Sequence, residues 1–187
     1  MATPEELRPI ALTEFANVGY AGTSLQRLAE VAGISKSAVL YHYASKEALL
    51  EAAIGPAIDR MAGILESFAS ERMTVQSRQA FIEQFVDFLL AHRLEVHTFI
   101  NQGRSLEDVP VIARANELIA RLAQFFSTSI ASTDDRMRFG IALGGAAYLL
   151  ATMESLPIEH VPFGELRSSL ISILGELLAP VRLDPRD

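Results

Sequence analysis

Cysteine and tryptophan are absent from this chain of 187 residues. Without thiols the protein can form no disulfide and no thiolate metal site, and it has no cysteine nucleophile. A secreted scaffold held by disulfides is therefore excluded, and the cytoplasm is the expected location. Catalytic signatures are missing too, since the sequence contains no G-x-S-x-G elbow, no Walker loop and no H-E-x-x-H pair. We expect no enzymatic activity and no cofactor.

Long hydrophobic runs are also scarce. The longest, residues 139–153, is shorter than the roughly 20 residues that a bilayer-spanning helix needs. The opening MATPEELRPI carries acidic residues where a signal peptide carries basic ones. The sequence therefore predicts no membrane segment and no export signal.

Positive charge is in short supply, because the net charge is −7 and lysine occurs only twice. Phosphate binding needs clustered Lys and Arg, so the total charge argues against a nucleic-acid binder. The distribution weakens that argument: residues 1–50 hold four basic and five acidic side chains, whereas residues 51–187 hold 12 and 18. Both lysines, Lys36 and Lys46, lie within ten residues of each other. Any phosphate-facing surface is expected near them.

Apolar residues recur at intervals of three and four, without the alternation of β-strands, so the pattern predicts an all-α fold. Capping-box spacings open the first two helices at Thr3 and Thr23, and Ser35 can cap the third. These short helices predict a three-helix N-terminal head, and the longer ones after it predict a C-terminal helical bundle. Helices beyond the head are expected at 46–68, 75–92, 96–102, 109–129, 134–153 and 163–178.

The second and third helices show the pattern of a helix-turn-helix. Ala29 leaves room for a close helix crossing, Gly33 makes the turn, and Ile34 fills the apolar side of the corner. Val39 and Tyr43, four residues apart, are expected to face the core. The opposite face of the third helix is then small and hydrogen-bonding, which suits insertion into the major groove of DNA. Any tight helical corner with Ala and Gly looks similar, so an ordinary packing corner stays an alternative.

Five stretches of the first 50 residues follow one another in a characteristic order. They are FANVGY (15–20), Thr23-Ser24, LAEVAGISK (28–36), LYHY (40–43) and SKEALL (45–50). Together they resemble the DNA-binding head of the TetR family of transcriptional regulators. The resemblance implies a homodimer that binds a palindromic double-stranded DNA operator, usually as a repressor, and releases it when a small-molecule effector enters the body. It assigns DNA binding to residues 1–48, and effector binding and dimerisation to residues 49–187.

The resemblance also implies which residues of the head face DNA. They are Ser24, Lys36, Ser37, Tyr41 and His42, with Lys46 at the start of the fourth helix expected to meet a phosphate. The chain departs from the family pattern at Leu40, where a second aromatic residue is frequent, at Ser37, where glycine is frequent, and at Ala44. These departures bear on the phosphate contacts and not on the fold.

The bundle carries many bulky, adaptable apolar side chains, since the chain has ten Phe and five Met. At helical spacing such residues form a plain core or line a mostly apolar effector pocket, and we favour the pocket. The candidate lining residues are Met61, Phe85, Phe88, His92, His97, Asn101, Asn116, Phe125 and Tyr148. The two histidines are five residues apart, off the spacing of paired ligands on one helix face, so no metal site is expected.

Glycines interrupt the helix predicted at 134–153, and each costs about 1 kcal/mol relative to alanine. Close approach of another backbone is the expected compensation. The predicted dimer interface consists of Gly140, Gly144, Ala147, Ala151, Leu170 and Leu174, which could form a four-helix contact about a two-fold axis. Alternatively, the glycines accommodate a neighbouring helix of the same chain.

Pro56 lies inside the fourth helix, where it predicts a kink or a break. Such a feature either shapes packing or serves as the bend through which the body moves the head.

Two other functions stay open. One is a helical small-molecule-binding protein or enzyme whose head does not bind DNA, which the acidic net charge and Leu40 would suit. The other is a DNA-binding activator.

Overall fold

Over the residues that the computed structural model describes, 3–70, 74–130, 132–153 and 161–181, the chain consists of helices and connections without any strand. The helices are α1 (Pro4–Val18), α2 (Leu25–Val31), α3 (Lys36–His42), α4 (Lys46–Ser70), α5 (Val75–Ala91), α6 (Arg93–Gln102), α7 (Pro110–Ser129), α8 (Thr133–Ala151) and α9 (Phe163–Leu178), and a 3-10 turn (Gly103–Leu106) follows α6. The predicted all-α fold is confirmed. None of these helices is long and apolar enough to cross a membrane.

Side-chain caps start the first three helices. Thr3 forms the predicted capping box with Glu6, and Ser35 accepts a hydrogen bond from the backbone N–H of Ala38 at the start of α3. The second prediction was displaced by one residue, because Ser24 caps α2 and not Thr23. Thr23 is buried, and its hydroxyl donates to the carbonyl of Gly19 at 2.8 Å.

Two glycines make the sharp turns of the N-terminal region. Gly19 ends α1 with φ +88°, and Gly33 lies between α2 and α3 with φ +67°. Side chains with a Cβ rarely adopt these angles, so both positions favour glycine on conformational grounds. The predicted turn between the second and third helices is present.

One compact unit comprises residues 1–59 and 94–115. It is therefore larger than the predicted head, since it adds the first part of α4, α6 from its second residue onward and the start of α7. Its core is formed by fully buried side chains from the first four helices: Leu7, Ala11, Phe15, Leu28, Ala29, Val39, Leu49 and Leu50. The functional division at residue 48 stays a prediction.

A second compact unit comprises residues 60–93 and 116–187, in which α5, α8 and α9 pack together. Aromatic rings fill part of its core. The Phe81 ring stacks on that of Phe68 with centroids 4.2 Å apart and on that of Phe85 at 5.9 Å. Between α5 and α9, Arg78 Nη1 donates to the carbonyl of Leu178 at 2.9 Å, and the same carbonyl at the end of α9 accepts the N–H of Val181 at 3.1 Å.

Pro56 does not break α4, which is helical without interruption from Lys46 to Ser70. The boundary between the two compact units falls within this helix, after Asp59. A hinge at Pro56 stays a prediction.

Candidate nucleic-acid interface and ligand cavity

The second and third helices pack against each other as a helix-turn-helix. In the turn, the N–H of Ile34 donates to the carbonyl of Ala29 at 2.9 Å. Ala29 and Val39 are completely buried, and Tyr43 is 8% exposed, as the four-residue spacing predicted. The hydroxyl of Tyr43 donates to the carbonyl of Pro4 at 2.8 Å. These contacts hold the inner face of α3 on the rest of the head and leave its outer face to solvent.

The outer face of α3 presents the predicted DNA-facing residues. Lys36 and Ser37 are exposed, and Tyr41 is 86% exposed. His42 is half-buried, with its ring edge-on to that of Tyr41 and the centroids 5.3 Å apart. The outer face of α3 thus offers an ammonium, a hydroxyl and a phenol, all of which can donate hydrogen bonds to phosphates or to base edges.

Ser24 is exposed at the start of α2, where its hydroxyl oxygen accepts a hydrogen bond from the N–H of Arg27 at 3.1 Å. A serine hydroxyl that accepts in this way still has its own proton to donate. Ser24 can therefore cap α2 and contact a phosphate at the same time.

Lys46 is placed differently from the expectation. Its ammonium donates to the carbonyls of Tyr20 and Thr23 at 2.8 and 2.9 Å and lies 4.1 Å from the centroid of the Tyr20 ring. Two of its three protons are thus used inside the protein, so a phosphate contact stays a prediction that depends on the third.

Burial raises the pKa of the Tyr20 hydroxyl. The pKa of the neighbouring Glu47 carboxyl is lowered, because a backbone N–H at the start of α4 and the hydroxyl of Ser45 donate hydrogen bonds to the carboxylate.

The nine predicted effector-binding residues are divided between the two compact units. His97 and Asn101 belong to the first compact unit and the other seven to the second. Asn101 and Asn116 are exposed, and Tyr148 is 60% exposed. Asn101 Nδ2 also bonds to the carbonyl of His97 in its own helix.

Two of the four apolar members of that set lie in the core. Phe85 and Phe88 are buried in the second unit, while Met61 is half-buried. The ring of Phe88 lies 4.9 Å from that of His92. For Phe85 and Phe88, a place in the hydrophobic core fits their burial better than a place in the wall of a pocket. Among the described residues, no group of three or more His, Asp or Glu side chains could hold a metal ion.

A cavity of about 140 Å³ lies in the second unit, between α4 and α7. Its lining is mostly apolar and consists of Ala62, Leu65, Glu66, Phe68, Ala69, Leu118, Arg121, Leu122 and Phe125. Phe125 alone was among the predicted residues. The missed ones carry a signal nonetheless, since the four residues from α7 follow the i, i+3, i+4, i+7 spacing of one helix face.

The predicted dimer residues differ in exposure, and Ala147 is half-buried. Gly140 and Gly144 are exposed, and a Cβ added at either would meet no atom within 4 Å. No neighbouring helix of the described chain therefore explains them. By contrast, Ala151, Leu170 and Leu174 are 4%, 6% and 2% exposed. These three residues face the protomer's own core, and their part in a dimer interface stays a prediction.

Two comparisons describe the first unit. The profile of bacterial regulatory proteins of the tetR family matches residues 10–53. The HTH-type transcriptional regulator RutR of Escherichia coli (strain K12) is 39% identical over 61 residues, which are 33% of this chain and 29% of RutR. The match thus spans less than a third of that relative.

Solved structures share the fold over nearly the whole length. The ketosteroid transcriptional regulator KstR2 of Mycobacterium tuberculosis superposes with a TM-score of 0.74 at 14% identity, covering 98% of this chain and 96% of KstR2. SCO3833 of Streptomyces coelicolor A3, a member of the TetR transcriptional regulator family, superposes with a TM-score of 0.71 at 24% identity, covering 97% and 94%. Residues 10–53 thus match the tetR family of bacterial regulatory proteins, and the chain shares the fold of these solved transcriptional regulators.

Proposed function

We propose that this protein is a DNA-binding transcriptional regulator, a repressor that a small, mostly apolar effector releases from a palindromic operator. The observation that carries the proposal is the outer face of α3, where Lys36, Ser37 and Tyr41 stand exposed on a helix whose inner face is fixed by Val39 and Tyr43. A rigid helix with small and hydrogen-bonding side chains on its free face fits the major groove. The acidic net charge is compatible with this, because most of the acidic excess lies beyond residue 50.

A palindromic operator requires two heads, and an exposed face of α8 supports a homodimer. Met137, Ile141 and Tyr148 are 60%, 62% and 60% exposed, and Gly144 leaves open space between them. Their spacing of four, three and four residues places all four on one side of the helix. On α9, Ile173 is 53% exposed, whereas Leu170 and Leu174 are buried on the other side of that helix. We place the two-fold interface on this stripe of α8, together with Ile173.

The cavity between α4 and α7 is the site we assign to the effector. Its volume of about 140 Å³ is below the roughly 300–1,000 Å³ of pockets for drug-sized ligands, so the effector would be small. Glu66 and Arg121 are exposed among otherwise apolar lining residues. A compact apolar molecule with a single charged group, such as an aromatic carboxylate, matches this lining.

DNA selection tests the proposal. Wild-type protein is used to enrich duplexes from a random-sequence library, and binding of the enriched site is measured at two salt concentrations. We expect an inverted repeat whose half-sites are about one helical turn apart, bound with an affinity that falls steeply with salt. Enrichment of no sequence, or equal binding to enriched and random duplexes, would count against a sequence-specific regulator.

A further inference from the structure

Tyr20, in the connection between α1 and α2, has both polar groups of its backbone bonded to side chains of distant helices. Its N–H donates to Oε1 of Gln102 at 2.5 Å, and its carbonyl accepts from Nζ of Lys46 at 2.8 Å. Gln102 is the last residue of α6, and Lys46 is the first residue of α4. Two helices that lie outside the helix-turn-helix therefore meet at one residue just before it.

The carboxamide of Gln102 also bonds to the end of α1. Its Nε2 donates to the carbonyl of Phe15 at 2.5 Å, the same carbonyl that accepts the N–H of Gly19 at 3.1 Å. One side chain thus acts as donor to α1 and as acceptor for the following connection. Because the two ends of a carboxamide are not interchangeable, this pair of bonds fixes the side chain in a single orientation.

The connection that Gln102 and Lys46 hold is itself compact. The Tyr20 ring is 7% exposed and lies 5.2 Å from the ring of Phe15. The N–H of Thr23 donates to the carbonyl of Gly19 at 3.1 Å, and the next residue is Ser24, the cap of α2. Only residues 21–23 separate Tyr20 from the cap of α2. A displacement of Tyr20 is therefore expected to move the start of α2.

We propose that Gln102 is a positioning residue that couples α6 to the DNA-reading helices through Tyr20, with Lys46 holding the same residue from α4. The inference rests on the proposed DNA-binding function and adds a route for its regulation. When α6 keeps its place, the carboxamide holds the end of α1 and the start of the connection in register with α2. When α6 moves, these two bonds transmit the movement to the helix-turn-helix. By linkage, binding of DNA to the head must then change α6 as well.

Hydrogen exchange without DNA tests the bonds themselves. Gln102→Met keeps the length of the side chain and removes both hydrogen bonds, while Gln84→Met makes the same change at an exposed site on α5. We expect the Tyr20 amide to exchange at least about tenfold faster in Gln102→Met than in wild type or Gln84→Met, because its acceptor is gone. Circular dichroism establishes that both variants keep their helices. An unchanged Tyr20 amide would overturn the proposal.

Hydrogen exchange with DNA tests the coupling. The probe is the duplex enriched by the wild-type protein. In wild type, DNA should slow exchange in both α3 and α6, whereas in Gln102→Met it should slow α3 alone, with about tenfold weaker binding. Slowing of α6 by DNA in Gln102→Met to the wild-type extent would contradict the proposal. A wild-type protein that binds no duplex would instead contradict the DNA-binding function, so the two failures are distinguishable.

Gln102→Glu supplies a second variant in case Gln102→Met does not fold. A carboxylate still accepts from Tyr20 but cannot donate to the Phe15 carbonyl, and protonation restores a donor. Relative to wild type at the same pH, we expect DNA binding by Gln102→Glu to be weakened near neutral pH and to recover as the pH falls toward the ordinary carboxyl pKa of about 4.3. A merely structural role would give a pH-independent ratio, and that result would overturn the proposal.

Discussion

Arg114 of α7 places Nη2 3.0 Å from Oε1 of Glu51 in α4, directly over Gly55. A Cβ added to Gly55 would lie 3.0 Å from both of these atoms. Oδ1 of Asp59 lies 3.6 Å from the same nitrogen. The ion pair therefore occupies the space that a side chain at Gly55 would take, and the glycine allows α4 and Arg114 to approach each other.

Replacement of Gly55 by alanine tests how much this ion pair contributes. The side chains of Arg114 and Glu51 are 41% and 45% exposed, so their pairing is worth about 0–1 kcal/mol. Alanine gains about 1 kcal/mol of helix propensity, and the ends of both charged side chains can move aside. We expect Gly55→Ala to leave the free energy of unfolding equal or up to about 1 kcal/mol higher in urea denaturation. A decrease in the free energy of unfolding of more than about 2 kcal/mol would mean that the close approach of Arg114 at Gly55 outweighs the gain in helix propensity.

Tyr41→Ala tests the outer face of α3. Because the side chain is 86% exposed, its removal should cost little stability. If the phenol reaches a base edge, discrimination at one operator position should fall by about 1–3 kcal/mol. Competition binding with single-base variants of the enriched duplex measures this, and Val75→Ala, at a 67% exposed position on α5, is the control. Equal losses for all duplexes would assign Tyr41 to the phosphate backbone.

Gly144→Leu tests the proposed dimer face. A Cβ at this position would meet no atom of the described protomer within 4 Å, and leucine raises helix propensity, so the isolated protomer should tolerate it. In a dimer packed on this face it would block contact, giving monomers in sedimentation that bind the palindrome weakly. Gly63→Leu is a matched control, since Gly63 is also an exposed helical glycine with open space around it. A Gly144→Leu protein that stays dimeric would place the interface elsewhere.

Asp87 and Arg167 give a pH-dependent contribution to stability. Arg167 donates to both carboxylate oxygens of Asp87, at 2.6 and 2.9 Å, and these bonds lower the pKa of Asp87. A lowered folded-state pKa stabilises the protein above the unfolded value of about 3.9, and the stabilisation is lost as the pH falls through the folded value. Because both side chains are partly exposed, we expect Asp87→Asn to cost less than about 1 kcal/mol at neutral pH. Urea denaturation at neutral pH and near pH 3 should show this difference shrinking. A constant difference would point to packing.

Ala62→Phe tests the cavity between α4 and α7. Ala62 lines it, so a phenyl ring there should fill the space. Thermal-shift measurements with a panel of small aromatic carboxylates should show stabilisation of wild type by mass action, about 2.7 kcal/mol at 100 times Kd, and none in Ala62→Phe. Ala120→Phe, at an exposed position on α7 outside the lining, should respond like wild type. Equal responses of all three proteins would move the ligand site away from this cavity.

Local chemistry made the fold and the head predictable. The helix predicted at 163–178 matches α9, and that predicted at 109–129 differs from α7 by one residue. Caps, left-handed glycines and the recurrence of apolar residues act over a few residues, so the sequence states them directly. The same reasoning placed Val39 inside and Tyr41 outside. It chose Thr23 as the cap of α2 instead of Ser24, since both residues have the required hydroxyl.

The sequence by itself determined an all-α chain with a helix-turn-helix near its start. Only the tertiary structure decided which apolar helix faces are buried inside the protomer. Leu170 and Leu174 have the same helical spacing as an interface, yet they are buried, and the free stripe lies on α8. Lys46 and Gln102 are bonded to backbone groups at least 23 residues away along the chain. The physical reason is that periodicity shows which side of a helix is apolar, but not what covers it. Likewise, the partner of a long polar side chain depends on which backbone groups folding brings within reach.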